Sequence, residues 1–313
     1  MAELRKVGSL EVTVAGLGCN NFGGRMDEER TRAVVDACFD AGVNNFDTAE
    51  SYGGGKSEEF LGRALGDHRG EVVITTKVSG FGAPEGVTGG SPEWISQAID
   101  NSLRRLDTDY IDLYLLHMPD AKTPIGDTLE AFAKLVAAGK VREIGCSNFS
   151  AEMLEDAAKT AKELGVPSFV NVQNSYSLLD RTPEQEVIPA CERLGMTLMP
   201  YFPLASGVLT GKYKRGEAAP EGTRLAAWGD RATAMLSDPR MDAVDRLSAY
   251  ASAHGHTLPE LALSYLAGTP AVASVIAGAT SPEQVRANAA GTEAWQLSDA
   301  ERAEVSELAT IES

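Results

Sequence analysis

The chain has 313 residues, a length that one (β/α)8 barrel commonly uses, and apolar residues make up 43% of it, which is ample for a large core. A formal net charge of −17 argues against broad nucleic-acid binding and docking on an anionic membrane, although a phosphate-bearing ligand needs only local positive charge. No segment approaches the ~18 continuous apolar residues of a membrane span, and the N-terminal segment lacks the apolar core of a secretory signal, so we expect a soluble, cytoplasmic protein.

Strand-like and helix-like segments alternate along the whole chain, which is typical of repeated βα units around a parallel sheet. We therefore predict one α/β domain over residues 1–313, a (β/α)8 TIM barrel with an N-terminal β-hairpin and a long loop after strand 7. The hairpin is predicted at 4–7 and 11–14, and the barrel strands at 15–19, 43–46, 72–76, 110–116, 141–146, 169–172, 196–200 and 272–276.

Capping residues mark the predicted helices. Asp27 precedes the first helix and Gly42 follows it, while Ser91 and Pro92 begin a helix that runs to Leu106. Further helices are expected near 56–66, 125–138 and 150–163 and after Leu297. Three segments fit a capping box, namely Thr182 with Gln185, Thr257 with Glu260, and Ser281 with Gln284.

The long loop, residues 205–240, interrupts the alternation of strands and helices. It holds Gly, Pro, Ala and charged residues without a sustained period and is far longer than a usual βα loop. We interpret it as a loop that covers a ligand, with a mobile insertion as the alternative. It contains Lys212, Lys214, Arg215, Arg224 and Trp228.

Polar side chains stand at the ends of several apolar strands, and a parallel barrel gathers its strand ends on one face. Lys77 and His117 each follow an apolar run, and Asp47 and Tyr52 follow the second strand. A tyrosine hydroxyl has a pKa of about 10, which a nearby ammonium lowers and so eases proton exchange. A carboxylate keeps the lysine charged, and an imidazole can hydrogen-bond a substrate oxygen. The group suits proton transfer to an oxygen that gains negative charge, as in carbonyl reduction by hydride.

Three of these residues also have a purely structural interpretation, whereas an ammonium directly after an apolar strand, as in Lys77, is harder to explain in that way. Asp47 is suited to capping a turn, Tyr52 to filling a loop, and His117 to hydrogen bonding within the core. Their joint occurrence at consecutive strand ends favours a shared site. Metal and disulfide chemistry are not expected, because His254 and His256 lack nearby acidic or thiol partners and the four cysteines are widely spaced.

Seven segments, in order, closely resemble those of the aldo-keto reductases, in the bacterial and plant branch that includes the potassium-channel β-subunits. They are NNFDTAESYGGGKSEEFLG, VVITTKV, YIDLYLLHMPD, VREIGCSNFS, NVQNSYSLLDR, MPYFPLASGVLTGKY and AGATSPEQVRAN. The resemblance runs from about residue 15 to 290. It implies that Tyr52 is the general acid/base, Lys77 its pKa-lowering partner, Asp47 the carboxylate bonded to that lysine, and His117 the group that orients the substrate carbonyl.

The same resemblance implies binding of NADP(H) without a Rossmann fold, and no strand–GxGxxG–helix unit is present. Ser147, Asn148 and Gln173 match the residues that hold the nicotinamide carboxamide, and Tyr201 matches the aromatic that stacks on the nicotinamide ring. A turn or helix-cap role for the Ser147–Asn148 pair and a core role for Tyr201 are the alternatives. The segment expected beneath the pyrophosphate contributes Phe202, Pro203, Leu204, Gly207, Leu209 and Lys212.

The adenosine end departs from the family pattern. Many members place a Lys or Arg beside the 2′-phosphate, where this chain has Gly278, Ala279, Thr280 and Ser281, and its nearest cation in sequence is Arg286. Gln284 and Asn288 match positions near the adenine and lie four residues apart, on one helix face. A capping role for Gln284 stays open, as does use of NAD(H) in place of NADP(H).

The leading hypothesis is a reversible NADP(H)-dependent oxidoreductase that acts on small aldehydes or ketones. A cofactor-sensing regulatory subunit with little turnover is one alternative, and a barrel lyase with a Schiff base on Lys77 is another. Weaker candidates for the pocket wall are residues 19–22, 118–120 and Trp228. A homo-oligomer is compatible with the sequence, which identifies neither the substrate nor the assembly.

Overall fold

The computed structural model of the protein describes residues 3–311 apart from 222, 224, 228 and 229. The predictions that concern Arg224 and Trp228 therefore lie outside the described residues. In the described part of the chain, no helix is both long and apolar enough to cross a membrane.

The architecture is a parallel sheet of eight strands that follows a two-stranded antiparallel hairpin. The two edges of this sheet meet. Parallel bridges join Leu198 to Val272 and Tyr201 to Ile276, so that the sheet closes into a barrel. The hairpin strands are β1 Leu4–Val7 and β2 Leu10–Thr13. The barrel strands, listed by position in the chain, are β3 Ala15–Gly18, β4 Asn45–Asp47, β5 Val73–Val78, β6 Ile111–Leu116, β7 Val141–Ser147, β8 Asn171–Gln173, β9 Thr197–Leu198 and β10 Val275–Gly278.

The hairpin covers the amino-terminal end of the barrel. Its apolar side chains, including Val7 and Val12, form one buried cluster with Val73, Leu113 and Met199 from the barrel strands. Burial of apolar surface in this cluster fills the lower part of the barrel, as side-chain layers do in this fold. The opposite, carboxyl-terminal end of the strands is therefore the end at which a ligand can enter.

Helices alternate with the strands and pack around the sheet. They are α1 Glu28–Asp40, α2 Lys56–Leu65, α3 Pro92–Leu106, α4 Ile125–Ala137, α5 Ala151–Leu164, α6 Val187–Leu194, α7 Asp230–Met235, α8 Asp238–Ala253, α9 Leu258–Ala267, α10 Pro282–Glu293 and α11 Asp299–Leu308. The predicted cap at Asp27 is confirmed, since its side chain accepts a hydrogen bond from the Arg30 amide. The predicted capping box of Thr257 and Glu260 is confirmed as well.

Two other predicted capping boxes are wrong. Thr182 begins a short 3₁₀ helix at Thr182–Glu184, and α6 begins afterwards without a side-chain cap. Ser281 does accept a bond from the Gln284 amide, but the Gln284 side chain turns to the Thr280 amide at 2.8 Å instead of closing the box. The local pattern misses this because Thr280 competes for the same side-chain oxygen.

The last barrel strand begins three residues later in the chain than predicted and ends two residues later. Residues 271–273 hydrogen-bond to Leu198 of β9, and pairing with β3 begins only at Val275. A continuous apolar run carries no period that could place such a boundary. The predicted loop at 205–240 also holds regular structure, namely 3₁₀ turns at Ala205–Thr210 and Leu225–Ala227, α7 and the start of α8.

Candidate active site at the carboxyl end of the barrel

A cavity of about 970 Å³ opens at the carboxyl ends of the strands, within the size range of small-molecule sites. All four candidates for acid–base chemistry line it, namely Asp47, Tyr52, Lys77 and His117. The structure therefore brings together side chains that lie on three separate βα units. The same cavity continues past the ends of β7 and β8 toward the start of α10.

Asp47 and Lys77 form a buried ion pair at the centre of this end. Asp47 is the last residue of β4, and Lys77 lies near the end of the adjacent β5, so their side chains point into the barrel beside each other. The Lys77 ammonium donates to both oxygens of Asp47 at 2.7 and 2.8 Å and to the Thr48 carbonyl at 2.7 Å. Burial has the largest single effect and lowers the pKa of Lys77, but the charge of Asp47, the interaction with Tyr52 and the hydrogen bond to Asp47 act together in the opposite direction and leave the pKa above its ordinary value. Lys77 is therefore held as a cation.

Tyr52 lies over this pair, in a turn that glycines make possible. Gly53 has φ 58°, and a Cβ there would lie 2.6 Å from the Phe22 carbonyl oxygen. The Lys77 ammonium is 5.2 Å from the centre of the Tyr52 ring. Burial raises the pKa of Tyr52, and the charge of Lys77 acts in the opposite direction without cancelling it. The pKa of Tyr52 is therefore not lowered overall as predicted, because the cost of burying the phenolate is larger than the stabilisation by the Lys77 charge.

His117 completes the acid–base group. Its ring meets the Tyr52 ring edge to face with 5.8 Å between centroids. Burial and the Lys77 charge lower the pKa of His117 to about 3, so the imidazole is neutral at physiological pH. Its Nδ1 is buried and has no hydrogen-bond partner among the described residues. The residue nevertheless lines the cavity, so its ring can meet a polar ligand atom there.

The four residues predicted to contact nicotinamide also lie together on the cavity wall. Tyr201 donates through its hydroxyl to Asn148 Oδ1 at 2.6 Å, and Asn148 in turn donates to Ser147 Oγ at 3.0 Å. Gln173 donates to Asp47 at 2.6 Å, which links this group to the ion pair. Asn148 has φ 64°, a conformation that asparagine adopts more readily than most residues. The amide and hydroxyl groups offer both donors and acceptors to a carboxamide.

The segment after β9 forms the next part of the wall. Phe202, Ala205 and Ser206 all have positive φ, as does Gly207 at 95°, so this short stretch is tightly turned. A Cβ on Gly207 would lie 3.0 Å from the Lys212 ammonium, which places that cation against the turn. The predicted residues that line the cavity here are Phe202, Pro203, Leu204, Gly207 and Lys212, whereas Leu209 is fully buried beneath them.

At the far end, the cavity is bounded by the segment before α10. The predicted residues Gly278, Thr280, Gln284 and Asn288 line it, while Ala279 and Ser281 do not. Arg286 points elsewhere, toward Asp40 on α1 at 3.6 Å. A different cation reaches the segment, because Arg30 donates to the Thr280 carbonyl at 3.2 Å. Asn21 approaches the same place and donates to the Ala279 carbonyl at 3.3 Å.

Sequence reasoning missed several residues of the wall. The most informative is Arg25, a cation in the loop between β3 and α1 that lines the cavity. The available signal is a basic residue in the first βα loop, and a single cation in a loop does not by itself indicate a ligand contact. Of the weaker candidates, Asn20, Asn21 and Met118 line the cavity. The other missed residues are Gly18, Ser206, Thr210, Glu221, Thr223, Pro259, Ile276, Ala277 and Ala287.

The chemistry of the wall fits a nicotinamide dinucleotide. One end offers an amide and hydroxyl set beside an aromatic ring, and cations stand farther along, as an elongated anionic ligand requires. In the described part of the chain, no group of three or more His, Cys, Asp or Glu side chains is arranged to hold a metal ion.

Comparison with known proteins identifies the family to which the chain is similar. The Aldo/keto reductase family profile matches residues 15–310. A probable voltage-gated potassium channel subunit beta from Oryza sativa subsp. japonica is 37% identical over 273 residues, 85% of this chain and 83% of that protein. An L-glyceraldehyde 3-phosphate reductase from Escherichia coli (strain K12) is 32% identical, with 86% of this chain and 80% of that protein covered.

Among solved structures, the holo form of aldo-keto reductase AKR11C1 from Bacillus halodurans superimposes with a TM-score of 0.82 at 30% identity. The match covers 100% of this chain and 98% of that one. Fold and sequence agree over nearly the whole length. The chain therefore belongs to the aldo/keto reductase family, a family of oxidoreductases.

Proposed function

We propose that the protein is an NADP(H)-dependent reductase of aldehydes or ketones in which Tyr52 is the general acid/base. The observation that carries the proposal is the juxtaposition of a protonated Lys77, the Tyr52 phenol and the neutral imidazole of His117 at one end of an elongated cavity. This arrangement suits an oxygen atom that becomes negatively charged and must receive a proton.

The chain's own residues account for the proton transfer. Because the pKa of Tyr52 is raised, its phenol is protonated at neutral pH and can donate to the carbonyl oxygen. Neutral His117 can orient that oxygen through a hydrogen bond. The Lys77 cation, held by Asp47 and Thr48, stabilises the phenolate that remains. When bound, the nicotinamide cofactor supplies the hydride that the carbonyl carbon accepts.

The polar wall residues would hold that cofactor. Ser147, Asn148 and Gln173 would hydrogen-bond the carboxamide in place of some of their present mutual bonds, and Tyr201 would face the ring. Cations along the cavity support a preference for NADP(H) over NAD(H). Arg25 lines the cavity and Arg30 lies at Thr280, so the first βα loop and α1 provide positive charge that the segment before α10 lacks.

The test is reduction of a reactive aldehyde such as 4-nitrobenzaldehyde, followed by the loss of NADPH absorbance. We expect turnover by the wild-type protein and a loss of at least about 100-fold in Tyr52→Phe, since general acid catalysis typically contributes that much. Tyr110→Phe is the matched control, because Tyr110 lies outside the cavity between Arg69 and Arg142. Undiminished turnover in Tyr52→Phe contradicts the mechanism.

The same assays separate the alternatives. A regulatory subunit predicts tight NADPH binding without turnover across a broad carbonyl panel, and the complete acid–base group makes this less favourable. A Schiff-base lyase predicts that borohydride traps a substrate adduct on Lys77. We expect no adduct, because a protonated ammonium with three acceptors in contact is a poor nucleophile.

A further inference from the structure

A second buried carboxylate, Glu50, lies in the turn between Asp47 and Tyr52. It is 1% exposed and does not line the cavity, so it is no candidate for contact with substrate. Its Oε1 accepts hydrogen bonds from the Ser79 amide at 2.6 Å, the Ser79 hydroxyl at 3.1 Å and the Phe81 amide at 3.2 Å. Glu50 therefore connects the turn that carries Tyr52 to the loop that follows β5.

That loop, residues 79–90, is closed at its base by direct contact between two backbone segments. A Cβ on Gly80 would lie 3.1 Å from the Gly89 amide nitrogen, and a Cβ on Gly89 would lie 3.0 Å from the Ser79 carbonyl carbon. Such distances are shorter than most Cβ contacts, and Gly80 also has φ 79°, a conformation that favours glycine. The loop is thus a compact Ω-loop whose narrow base is held by Glu50.

A different carboxylate holds the other limb of the base. Asp120 accepts hydrogen bonds from the Gly90 amide at 3.1 Å and from the Thr88 hydroxyl. Asp120 lies two residues after Met118 in the chain, and Met118 lines the cavity. The loops after β4, β5 and β6 are consequently joined to one another by two carboxylates. They are the loops that follow Asp47, Lys77 and His117.

The strand ends are also linked through the backbone at the same place. The His117 amide donates to the Val78 carbonyl at 2.9 Å, one residue before Ser79. The Glu50 amide approaches the Lys77 carbonyl at 3.3 Å. Tyr52 and His117, whose ring centroids are 5.8 Å apart, therefore lie on two chain segments that are both hydrogen-bonded to the end of β5, directly before the 79–90 loop.

We propose that Glu50 is a positioning residue, which fixes the Tyr52 turn against the base of the 79–90 loop and so holds the phenol beside His117. The inference rests on the proposed function of Tyr52 and adds a residue outside the acid–base group. Burial of a carboxylate is unfavourable unless hydrogen bonds compensate it, and Glu50 has three donors at one oxygen. Burial raises its pKa, and the bonds from Ser79 and Phe81 act in the opposite direction.

The experiment compares Glu50→Ala with Glu50→Gln, which keeps an acceptor oxygen at the same place. In Glu50→Ala we expect faster hydrogen exchange at the amides of residues 79–81 and a fall of about tenfold in kcat for the aldehyde, because small misplacement of a catalytic group is enough to produce such a loss. Affinity for NADPH, measured by fluorescence, is expected to stay within about twofold. Glu50→Gln should restore most of the protection and of kcat.

Glu58→Ala is the matched control for loss of a buried glutamate. Glu58 bonds to Thr76 at 2.5 Å and to Arg105 at 2.6 Å and makes none of the hydrogen bonds at the loop base. It should lower the melting temperature without faster exchange at 79–81 or a fall in kcat. An unchanged kcat in Glu50→Ala, an equal fall in kcat in Glu58→Ala, or a failure of Glu50→Gln to restore kcat overturns the proposal.

Hydrogen exchange in the wild-type protein keeps the inference testable if Glu50→Ala does not fold. The amides of Ser79 and Phe81 should then exchange more slowly than those at the loop tip, residues 83–87. Equal exchange rates at the base and the tip overturn the inference. If the wild-type protein instead reduces no carbonyl while these amides are protected, the proposed function fails and the link between loop and turn stands.

Discussion

The two ends of the cavity are built in different ways. At the catalytic end, the functional groups stand on strand ends or directly after them and are fixed by short bonds, such as the contacts of Lys77 with Asp47 and Thr48. At the far end, the wall is assembled from segments distant in sequence, as in the contacts of Asn21 with Ala279 and of Arg30 with Thr280.

This difference separates chemistry from selectivity. A sheet fixes the direction of each strand-end side chain, so the groups that transfer a proton are held rigidly and out of water. Exposed cations on loops can adapt to a charged ligand, but each contributes modestly because water and salt screen it. Substitutions at the catalytic end should therefore have large, salt-independent effects, and those at the far end smaller, salt-dependent ones.

The largest effect is expected from Lys77→Met. It removes the cation that stabilises the Tyr52 phenolate and leaves Asp47 buried without its charge partner. We expect kcat for aldehyde reduction to fall by about 100-fold or more, and unfolding to become easier by about 3–5 kcal/mol. Steady-state kinetics and thermal or denaturant unfolding measure the two effects.

A double variant separates stability from catalysis in this prediction. Lys77→Met with Asp47→Asn removes both charges, so much of the lost stability should return while kcat stays low. Recovery of kcat together with stability would show that the Lys77 charge has no catalytic role.

Arg25→Gln tests the far end and should have an intermediate effect. Loss of a charge-assisted contact to the 2′-phosphate should weaken NADP⁺ binding about tenfold and leave NAD⁺ binding nearly unchanged. Isothermal titration with each cofactor, and with 2′,5′-ADP against 5′-AMP, gives the ratio directly. Arg286→Gln is the control, since Arg286 is directed toward Asp40. Equal weakening of NADP⁺ and NAD⁺ would assign Arg25 to another part of the ligand.

The same contrast explains what the sequence could predict. Asp47, Lys77 and His117 were found because a polar residue that ends an apolar strand must lie at the barrel mouth. The barrel and the alternation of helices followed from the same regularity. Arg25 and Arg30 were not found, because their approach to the cavity depends on how the loop between β3 and α1 packs against residues 279–280, a contact across some 250 residues.

The sequence also could not predict which of two opposing effects on the pKa of a buried group is the larger. The sign of the Tyr52 pKa shift depends on how deeply the phenol is buried relative to its distance from Lys77, and sequence spacing gives neither quantity. Gln284 is a similar case. Its partner was predicted to be Ser281, but the Thr280 amide is nearer to its side-chain oxygen in the folded loop.

A smaller effect is expected from Arg215→Ala, at the edge of the segment that follows the cavity wall. Arg215 contacts three exposed carboxylates on α8, namely Asp238 at 3.3 Å, Asp242 at 2.5 Å and Asp245 at 3.1 Å. These contacts join the chain just beyond Lys212 to the helix. We expect release of NADPH to quicken about twofold at low salt, with no difference from the wild type near 1 M salt, because screening removes exposed ion pairs. Stopped-flow fluorescence measures the rate. A difference that persists at high salt would contradict an electrostatic tether.

The smallest change is expected in the pH profile of the wild-type enzyme. His117, with a pKa of about 3, stays neutral above mildly acidic pH, and Tyr52, with a raised pKa, stays protonated until the solution is strongly alkaline. Reduction needs both forms, so kcat should vary by less than about twofold from about pH 6 to about pH 9 and fall only at higher pH, where Tyr52 loses its proton. The oxidation direction needs the Tyr52 phenolate and should rise over the same interval. A descending limb for reduction near pH 7 would mean that Lys77 lowers the pKa of Tyr52 more than burial raises it, and the rigid catalytic end would then be governed by charge instead of desolvation.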